Sequence, residues 1–199
     1  MKTAIFLLAP AGAGKTTMLN YIGNKYSSTN VSVVSIGQQC RAKFGVDAFV
    51  ADKNPVTPAI SESFVRDLVK SKLDKEYSYD HQPSVTVFDG FPRSVEQVEY
   101  LASLNTDGVM KQFVWLNCSL PDVVRRLTLR NGGQKIDDLS YARLGVETKQ
   151  FADVLIAIGR RGYDITSIDT SDCEDKMRPL HRISHLIDWS MAISPKSSK

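Results

Sequence analysis

Short apolar runs alternate with longer amphipathic stretches along the 199-residue chain. TAIFLL is apolar throughout and is followed by Pro and Gly, and VSVVSI is rich in β-branched residues. Runs of this length and composition predict strands that are buried on both faces of a parallel sheet. The predicted strands cover residues 3–8, 31–36, 84–89, 112–118 and 164–169.

The stretches between the strands carry apolar residues at helical spacing. Ile60, Phe64 and Leu68 lie on one predicted helix face, and Pro121 suits a first helical turn. The predicted helices begin at Gly14 and at residues 58, 94, 121, 139 and 174. Strands that alternate with helices predict an α/β fold of three layers, with five parallel strands between flanking helices. We expect a single domain over residues 1–193 and a flexible tail over residues 194–199.

Charge and cysteine content exclude several classes of protein. The 25 basic and 22 acidic residues leave a net charge of +3, which is too small to indicate a nucleic-acid partner. Cys40, Cys118 and Cys173 show no zinc or redox spacing, as expected for thiols in a reducing compartment. The apolar start AIFLLA is too short to span a membrane and lacks a cleavable signal pattern. We therefore expect a cytoplasmic protein with no membrane partner.

The glycine-rich stretch APAGAGKTT (9–17) lies between a predicted strand and a predicted helix. It matches the phosphate-binding pattern G-x-x-x-x-G-K-S/T except that Ala9 replaces the leading glycine. Backbone N–H groups of such a loop bind phosphate oxygens, and a lysine charge follows the transferred phosphoryl group. A glycine-rich turn with an exposed lysine is the alternative. The residues predicted to bind phosphate here are Ala11, Gly12, Ala13, Gly14, Lys15, Thr16 and Thr17.

A carboxylate and an arginine follow the third predicted strand in the run DGFPRSVEQ (89–97). Asp89 and Thr16 suit Mg²⁺, held largely through water. Gly90 begins a stiff turn that directs Arg93 into the cleft, where a guanidinium fork suits a phosphate dianion. Gln97 follows one helical turn later, and an amide offers both a donor and an acceptor to a base.

This run beside a phosphate-binding loop resembles the adenylate kinase family of nucleoside monophosphate (NMP) kinases. The resemblance implies a P-loop nucleoside-triphosphate-binding fold and phosphoryl transfer from ATP to an NMP, with Mg²⁺ as cofactor. It further implies that Arg93 binds the NMP phosphate and that Gln97 reads the adenine of AMP.

Two further stretches resemble the acceptor side of that family. SIGQQCR (35–41) is similar to the family pattern S-T-G-D-M/L-L-R, so the resemblance makes Arg41 a second ligand of the NMP phosphate. Ile36 and Gln38 depart from this pattern, and Ile36 leaves the identity of the acceptor open. PVTPAI (55–60) resembles the strip over the acceptor base, to which Val56 contributes its backbone; a plain loop is the alternative. The NMP-binding insertion is expected over about residues 36–80.

The donor side is similar to the short-lid branch of the family. RLTLR (126–130) matches R-x-x-x-R, which implies that Arg126 covers the ATP adenine and that Arg130 binds the phosphates. Two solvated arginines are the alternative. A short lid is expected over about residues 130–140, with Lys135 where the branch has a phosphate-binding arginine. Arg143 matches the next family arginine after a three-residue deletion.

The resemblance thus predicts an adenylate kinase-like phosphotransferase that converts ATP and AMP into two ADP, as a monomer. A kinase for UMP, CMP or a deoxynucleoside monophosphate is one alternative, and a nucleotide-binding protein with weak or no catalysis is another. The predicted catalytic residues are Lys15, Arg93, Arg130 and Arg143. The predicted NMP-binding residues are Ile36, Arg41, Val56, Gly90, Arg93, Gln97 and Arg143.

Overall fold

The central strand of the protein is buried on both of its faces, as its unbroken apolar sequence predicts. A computed structural model describes residues 2–45, 59–77, 85–171 and 175–193. The strands are β1 (Lys2–Leu8), β2 (Val31–Ser35), β3 (Val85–Asp89), β4 (Val109–Asn117) and β5 (Ile165–Asp169). The helices of the described residues are α1 (Lys15–Lys25), α2 (Ile36–Phe44), α3 (Ala59–Tyr77), α4 (Val95–Ser103), α5 (Leu120–Arg130), α6 (Asp138–Arg160) and α7 (Arg178–Ile193).

The strands form one sheet in the order β2-β3-β1-β4-β5, and every pairing is parallel. All five strands therefore end at the same edge of the sheet. Asp89, the last residue of β3, lies opposite Leu7 of β1 and Ser35 of β2. The loops that follow the strands thus meet at this edge, where ligands of open parallel sheets bind.

Two apolar layers flank the sheet because successive side chains of a strand point to opposite faces. Phe6 lies in one layer, where its ring stacks against Phe88 and Phe113 with centroids 5.1 Å away in each case. Ile5 and Leu7 face the other layer, which α1 and α7 cover. The strand carrying the glycine-rich loop therefore rests on a packed core from both sides.

The predicted α/β fold is confirmed, and the strand and helix predictions hold apart from local differences. Strand β2 lies at the edge of the sheet and leaves Val33 exposed, so the prediction that it is buried on both faces was wrong. Strand β4 begins at Val109, three residues before the predicted start. Helix α2 was not predicted at all. Ile36 and Cys40, four residues apart, are its buried residues, and this pair is too short a signal to reveal a helix by periodicity. The tail over 194–199 lies outside the described residues, and the assignment of the insertion and the lid stays a prediction.

Candidate active site

The loop between β1 and α1 takes its shape from two glycines. Gly12 and Gly14 have φ angles of +78° and +88°, in the left-handed region that side chains disfavour. A Cβ atom on Gly12 would also lie 3.1 Å from Cγ1 of Val123 in α5. Within the described residues, no side chain caps the start of α1 and no acidic residue lies in its first turn. The helix N-terminus and the loop N–H groups are therefore suited to an anion.

Ala9 does not strain this loop, although it replaces the usual glycine. No residue other than glycine has a positive φ in the described part of the chain, so Ala9 adopts an ordinary conformation. Its side chain is buried among the apolar residues between the sheet and α1. The departure from the phosphate-loop pattern is thus accommodated by packing.

Replacing Ala9 with glycine is expected to leave kcat/KM for ATP within about threefold of the wild-type value, because no strained φ is relieved. The same change removes a buried methyl group and adds backbone freedom, so the free energy of unfolding should fall by about 1 kcal/mol. Steady-state kinetics and thermal unfolding measure the two effects. A tenfold or larger gain in kcat/KM for ATP would show that the loop is compromised by Ala9.

Two side chains from other elements hold the loop in place. The Thr170 hydroxyl, directly after β5, lies 2.8 Å from the Ala13 carbonyl oxygen and donates to it. The Arg126 guanidinium of α5 donates to the Thr170 carbonyl over 2.5 Å and to the Gly12 carbonyl over 3.4 Å. These bonds use loop carbonyl groups and none of the loop N–H groups.

Lys15 and Asp89 form an ion pair at the carboxyl edge of the sheet. The Lys15 ammonium lies 3.2 Å from Oδ1 of Asp89, and the Ser35 hydroxyl donates to Oδ2 over 2.9 Å. Oδ1 is buried, yet among the described residues it accepts no hydrogen bond of ordinary geometry, despite the nearby ammonium. The Lys15 ammonium is close enough to Oδ1 for charge attraction, but its N–H groups are not aligned for a hydrogen bond.

The residues around Asp89 fit a magnesium ion that arrives with a nucleotide. Asp89 offers the under-used oxygen Oδ1, and Thr16, with its hydroxyl, lines the same cavity. Carboxylate, hydroxyl and phosphate oxygens with water are the ligands that Mg²⁺ prefers. No group of three or more acidic, histidine or cysteine residues is placed to hold a metal in the described part of the chain. Beside Asp89 and Thr16, phosphate and water oxygens would complete the ligand set.

A cavity of about 290 Å³ lies on one side of Lys15. Most of the predicted NMP-binding residues line it together with the loop and the end of β3. The residues that line it are Lys15, Thr16, Ser35, Ile36, Gly37, Cys40, Arg41, Val65, Asp89, Gly90, Arg93 and Gln97. The structure thus brings Ile36, Arg41, Gly90, Arg93 and Gln97 into one place, from two stretches of the chain, 36–41 and 90–97.

This cavity is positively charged. Arg41 and Arg93 line it and lie close enough to Cys40 to lower the pKa of its thiol, but burial has the larger effect and raises that pKa. Cys40 therefore stays neutral and does not offset the arginines. A cavity with two guanidinium groups and an ammonium suits a doubly charged phosphate.

A second cavity of about 350 Å³ lies on the other side of the loop. Gly14 and Thr17 of the loop line it, with Arg126 of α5 and the segment that enters α7. The remaining residues around it are Met18, Arg125, Thr170, Ser171, Lys176, Pro179 and Leu180. Sequence reasoning missed Thr170 and Ser171, although their position directly after β5 is a signal that could have found them.

The residues predicted for the lid stand apart from both cavities. Arg130 and Lys135 are exposed at the end of α5 and in the loop after it, and neither lines the two cavities. The Arg143 side chain and Val56 lie outside the described residues. The roles of these four residues therefore remain predictions.

A carboxylate from α6 contacts the phosphate loop. Oε2 of Glu147 accepts a hydrogen bond of 3.1 Å from the Ala11 backbone N–H, 136 positions away in sequence. An alanine at this position has an N–H to donate, which a proline would lack. The N–H group that Ala11 adds to the loop is thus the one that Glu147 binds.

Replacing Glu147 with glutamine is expected to lower KM for ATP by about three- to tenfold. The amide keeps a hydrogen-bond acceptor but removes a negative charge beside a loop that would bind triphosphate. The gain should shrink as salt is raised, because the site is exposed. Asp153→Asn, on an exposed position of the same helix, is the matched control. An unchanged or higher KM in Glu147→Gln would contradict this expectation.

Three features define a P-loop nucleoside-triphosphate-binding protein. They are the order of the strands in the sheet, the glycine-rich loop after β1 and the aspartate that ends the neighbouring strand β3. A family model described as an AAA domain matches residues 8–143. The match spans more than half of the chain, and the protein belongs to this family.

The chain is also similar to an adenylate kinase from Corynebacterium aurimucosum. The two sequences are 26% identical over 165 residues, covering 78% of this chain and 90% of that protein. This relative supports the resemblance to the adenylate kinase family found in the motifs. Together the comparisons support a phosphotransferase of the nucleotide kinase kind. No helix of the described residues is long and apolar enough to cross a membrane.

Proposed function

We propose that this protein is a nucleoside monophosphate kinase that transfers the terminal phosphoryl group of ATP to AMP, giving two ADP. The observation that carries this proposal is the presence of two cavities on the two sides of one phosphate loop. Gly14 and Thr17 line one cavity, whereas Lys15 and Thr16 line the other. A loop shared in this way suits a reaction between the phosphates of two nucleotides.

The donor nucleotide would occupy the cavity beside Arg126. Its volume of about 350 Å³ lies in the range of small-molecule sites. The Arg126 guanidinium is held by backbone carbonyl groups and presents a flat surface to a base. The triphosphate would then lie on N–H groups of the loop between Gly12 and Thr17, at the start of α1, since Glu147 binds the N–H of Ala11.

The acceptor would occupy the cavity with Arg41 and Arg93. Their guanidinium groups would bind the AMP phosphate, and Lys15 would leave Asp89 to follow the transferring group. The phosphoryl transfer forms a bond from an AMP phosphate oxygen to the γ-phosphorus and breaks the bond from that phosphorus to the β-phosphate oxygen. The acceptor is already an anion, so no protein group has to act as a base.

Magnesium would be held through Asp89 and Thr16 beside the loop, and when bound it neutralises charge on the donor phosphates. The protein's own contribution is to place the two phosphates in line, surround them with positive charge and exclude water. Arg130, Lys135 and Arg143 would add charge from the lid side once nucleotide is bound. We propose the enzyme acts as a monomer in the cytoplasm.

A panel of acceptors with ATP and magnesium tests this proposal. AMP, CMP, UMP, GMP and their deoxy forms are supplied one at a time, and ADP formation is followed in a coupled assay. AMP should give the highest kcat/KM. The Lys15→Met variant, prepared in the same way, controls for a contaminating kinase. Transfer to UMP or a deoxynucleotide in preference to AMP would replace the proposed acceptor, and no transfer to any of them would contradict a kinase.

The remaining alternative is a protein that binds nucleotides without efficient transfer. Calorimetry with a dinucleotide that joins two adenosines through phosphates measures binding to both cavities at once. Tight binding without turnover would select this alternative. We expect tight binding with turnover, because the loop lysine and both cavity arginines are in place.

A further inference from the structure

Gln97 belongs to a chain of polar side chains that joins α3 to α4 beside the acceptor cavity. Its Nε2 donates to Oε2 of Glu62 over 2.8 Å, and Oε1 of Glu62 accepts from Nε of Arg66 over 2.8 Å. Gln97 is 3% exposed and lines the cavity. Glu62 is separated from Gln97 by 35 positions in sequence, so no local pattern reveals their pairing.

The contacts of Gln97 fix which way its amide points. Oε1 accepts a hydrogen bond of 2.6 Å from the Arg93 backbone N–H, and only an oxygen can do so. The carboxylate of Glu62 can only accept, so the nitrogen must face it. One hydrogen of Nε2 is used by Glu62, and an amide nitrogen carries two. Among the described residues, Glu62 accepts from one N–H of Nε2, and the second N–H can donate to a base next to the carboxylate.

A donor beside a carboxylate complements one kind of base edge. Adenine presents the ring acceptor N1 beside the amino group N6, and cytosine presents N3 beside N4. Uracil, thymine and hypoxanthine present a carbonyl oxygen where the amino group would stand, and that oxygen would face the carboxylate. Guanine placed with its amino group toward Glu62 would turn its N1–H toward the Gln97 N–H, so that two donors would face each other. Such mismatches leave polar groups unpaired and are strongly disfavoured.

We infer that Glu62 reads the amino group of the acceptor base, while Gln97 donates to the neighbouring ring nitrogen. This inference rests on the proposed function, since it assumes a nucleoside monophosphate in the cavity. The acceptor class that fits is a base whose Watson–Crick edge carries an amino group next to an unprotonated ring nitrogen, and adenine is the purine of this class. Glu62 is thus a specificity-determining residue for this reaction.

The surroundings of Glu62 support this role. Its side chain is 30% exposed, and its carboxylate lies within hydrogen-bond distance of Gln97, which itself lines the cavity. Arg66 holds the charge in place, and its own guanidinium lies over the ring of Tyr100, 5.2 Å from the centroid. Arg66 is a positioning residue, because it acts on the base through Glu62.

The test compares AMP with purine riboside 5′-monophosphate, which is the same nucleotide without the amino group. kcat/KM is measured for both acceptors in the wild type, in Glu62→Leu and in Glu62→Gln. The wild type should prefer AMP by about 10- to 100-fold, the effect of one hydrogen bond to a charged group. Glu62→Leu should lose this preference to within about threefold, with the loss falling on AMP. Glu62→Gln should keep part of the preference for AMP, because the glutamine carbonyl still accepts a hydrogen bond from the amino group.

Glu99→Gln is the matched control, since Glu99 pairs with Arg161 on the other side of α4. This variant should prefer AMP over purine riboside 5′-monophosphate as strongly as the wild type does. A preference that survives in both Glu62 variants, in an enzyme active on AMP, would overturn the role of Glu62 and leave the proposed function standing. Failure of the wild type to use AMP would overturn the proposed function and this inference together. Thermal unfolding of each variant, with binding of ATP, separates a specific loss from misfolding.

Discussion

Replacement of Lys15 by methionine is expected to lower kcat for phosphoryl transfer by about 10³-fold or more. Methionine preserves the length of the side chain and removes the only charge that the loop itself supplies. A preorganised cation at the transferring group stabilises charge that develops in the transition state, and such groups are worth factors of this size. The effect on KM for either nucleotide should be smaller, because other groups share the binding.

The measurement is single-turnover and steady-state kinetics with ATP and AMP. Lys70→Met, on an exposed position of α3, is the control and should match the wild type. Calorimetric binding of the joined dinucleotide verifies that the Lys15 variant keeps both cavities. A loss of less than tenfold in kcat, with binding intact, would show that Lys15 does not act on the transferring phosphoryl group.

Replacement of Arg93 by lysine is expected to lower kcat/KM for AMP by about 100-fold. Gly90, with φ of +85°, lets the turn after β3 bring the Arg93 side chain into the acceptor cavity. Lysine keeps the charge and loses the planar fork that binds two phosphate oxygens together. The backbone N–H that holds Gln97 is unchanged by the substitution, so base recognition should survive.

Kinetics with AMP varied at saturating ATP measure this loss, and KM for ATP should stay within about threefold of wild type. Arg182→Lys, on an exposed position of α7, serves as the comparison. An effect confined to ATP would place Arg93 on the donor side instead. A variant as active as the wild type would remove Arg93 from the phosphate site.

Local signals were sufficient to predict the fold. The central strands β1 and β3 are short runs, apolar except for a few residues, because both of their faces are buried, and Ile5 and Phe6 of β1 show this directly by packing into opposite layers. The loop, DGFPR and Arg126 were found because each lies in a contiguous motif. They come together because the carboxyl ends of parallel strands share one edge.

The contacts that join distant segments could not be predicted. Glu147 reaches Ala11 across 136 positions, and Glu62 reaches Gln97 across 35. Such pairs depend on how helices pack, which no periodicity in one segment encodes. The lid residues Arg130 and Lys135 were predicted by resemblance alone, and their exposed side chains line neither of the two cavities.

In the proposed reaction, the γ-phosphoryl group moves from bound ATP to bound AMP. The most direct measurement supplies ATP labelled at its γ-phosphate together with unlabelled AMP and magnesium, and follows the label. We expect the label to appear in the β-phosphate of ADP, one for each AMP consumed, with little release as inorganic phosphate. Label that stays in ATP or leaves only as inorganic phosphate, while the joined dinucleotide still binds, would contradict the account.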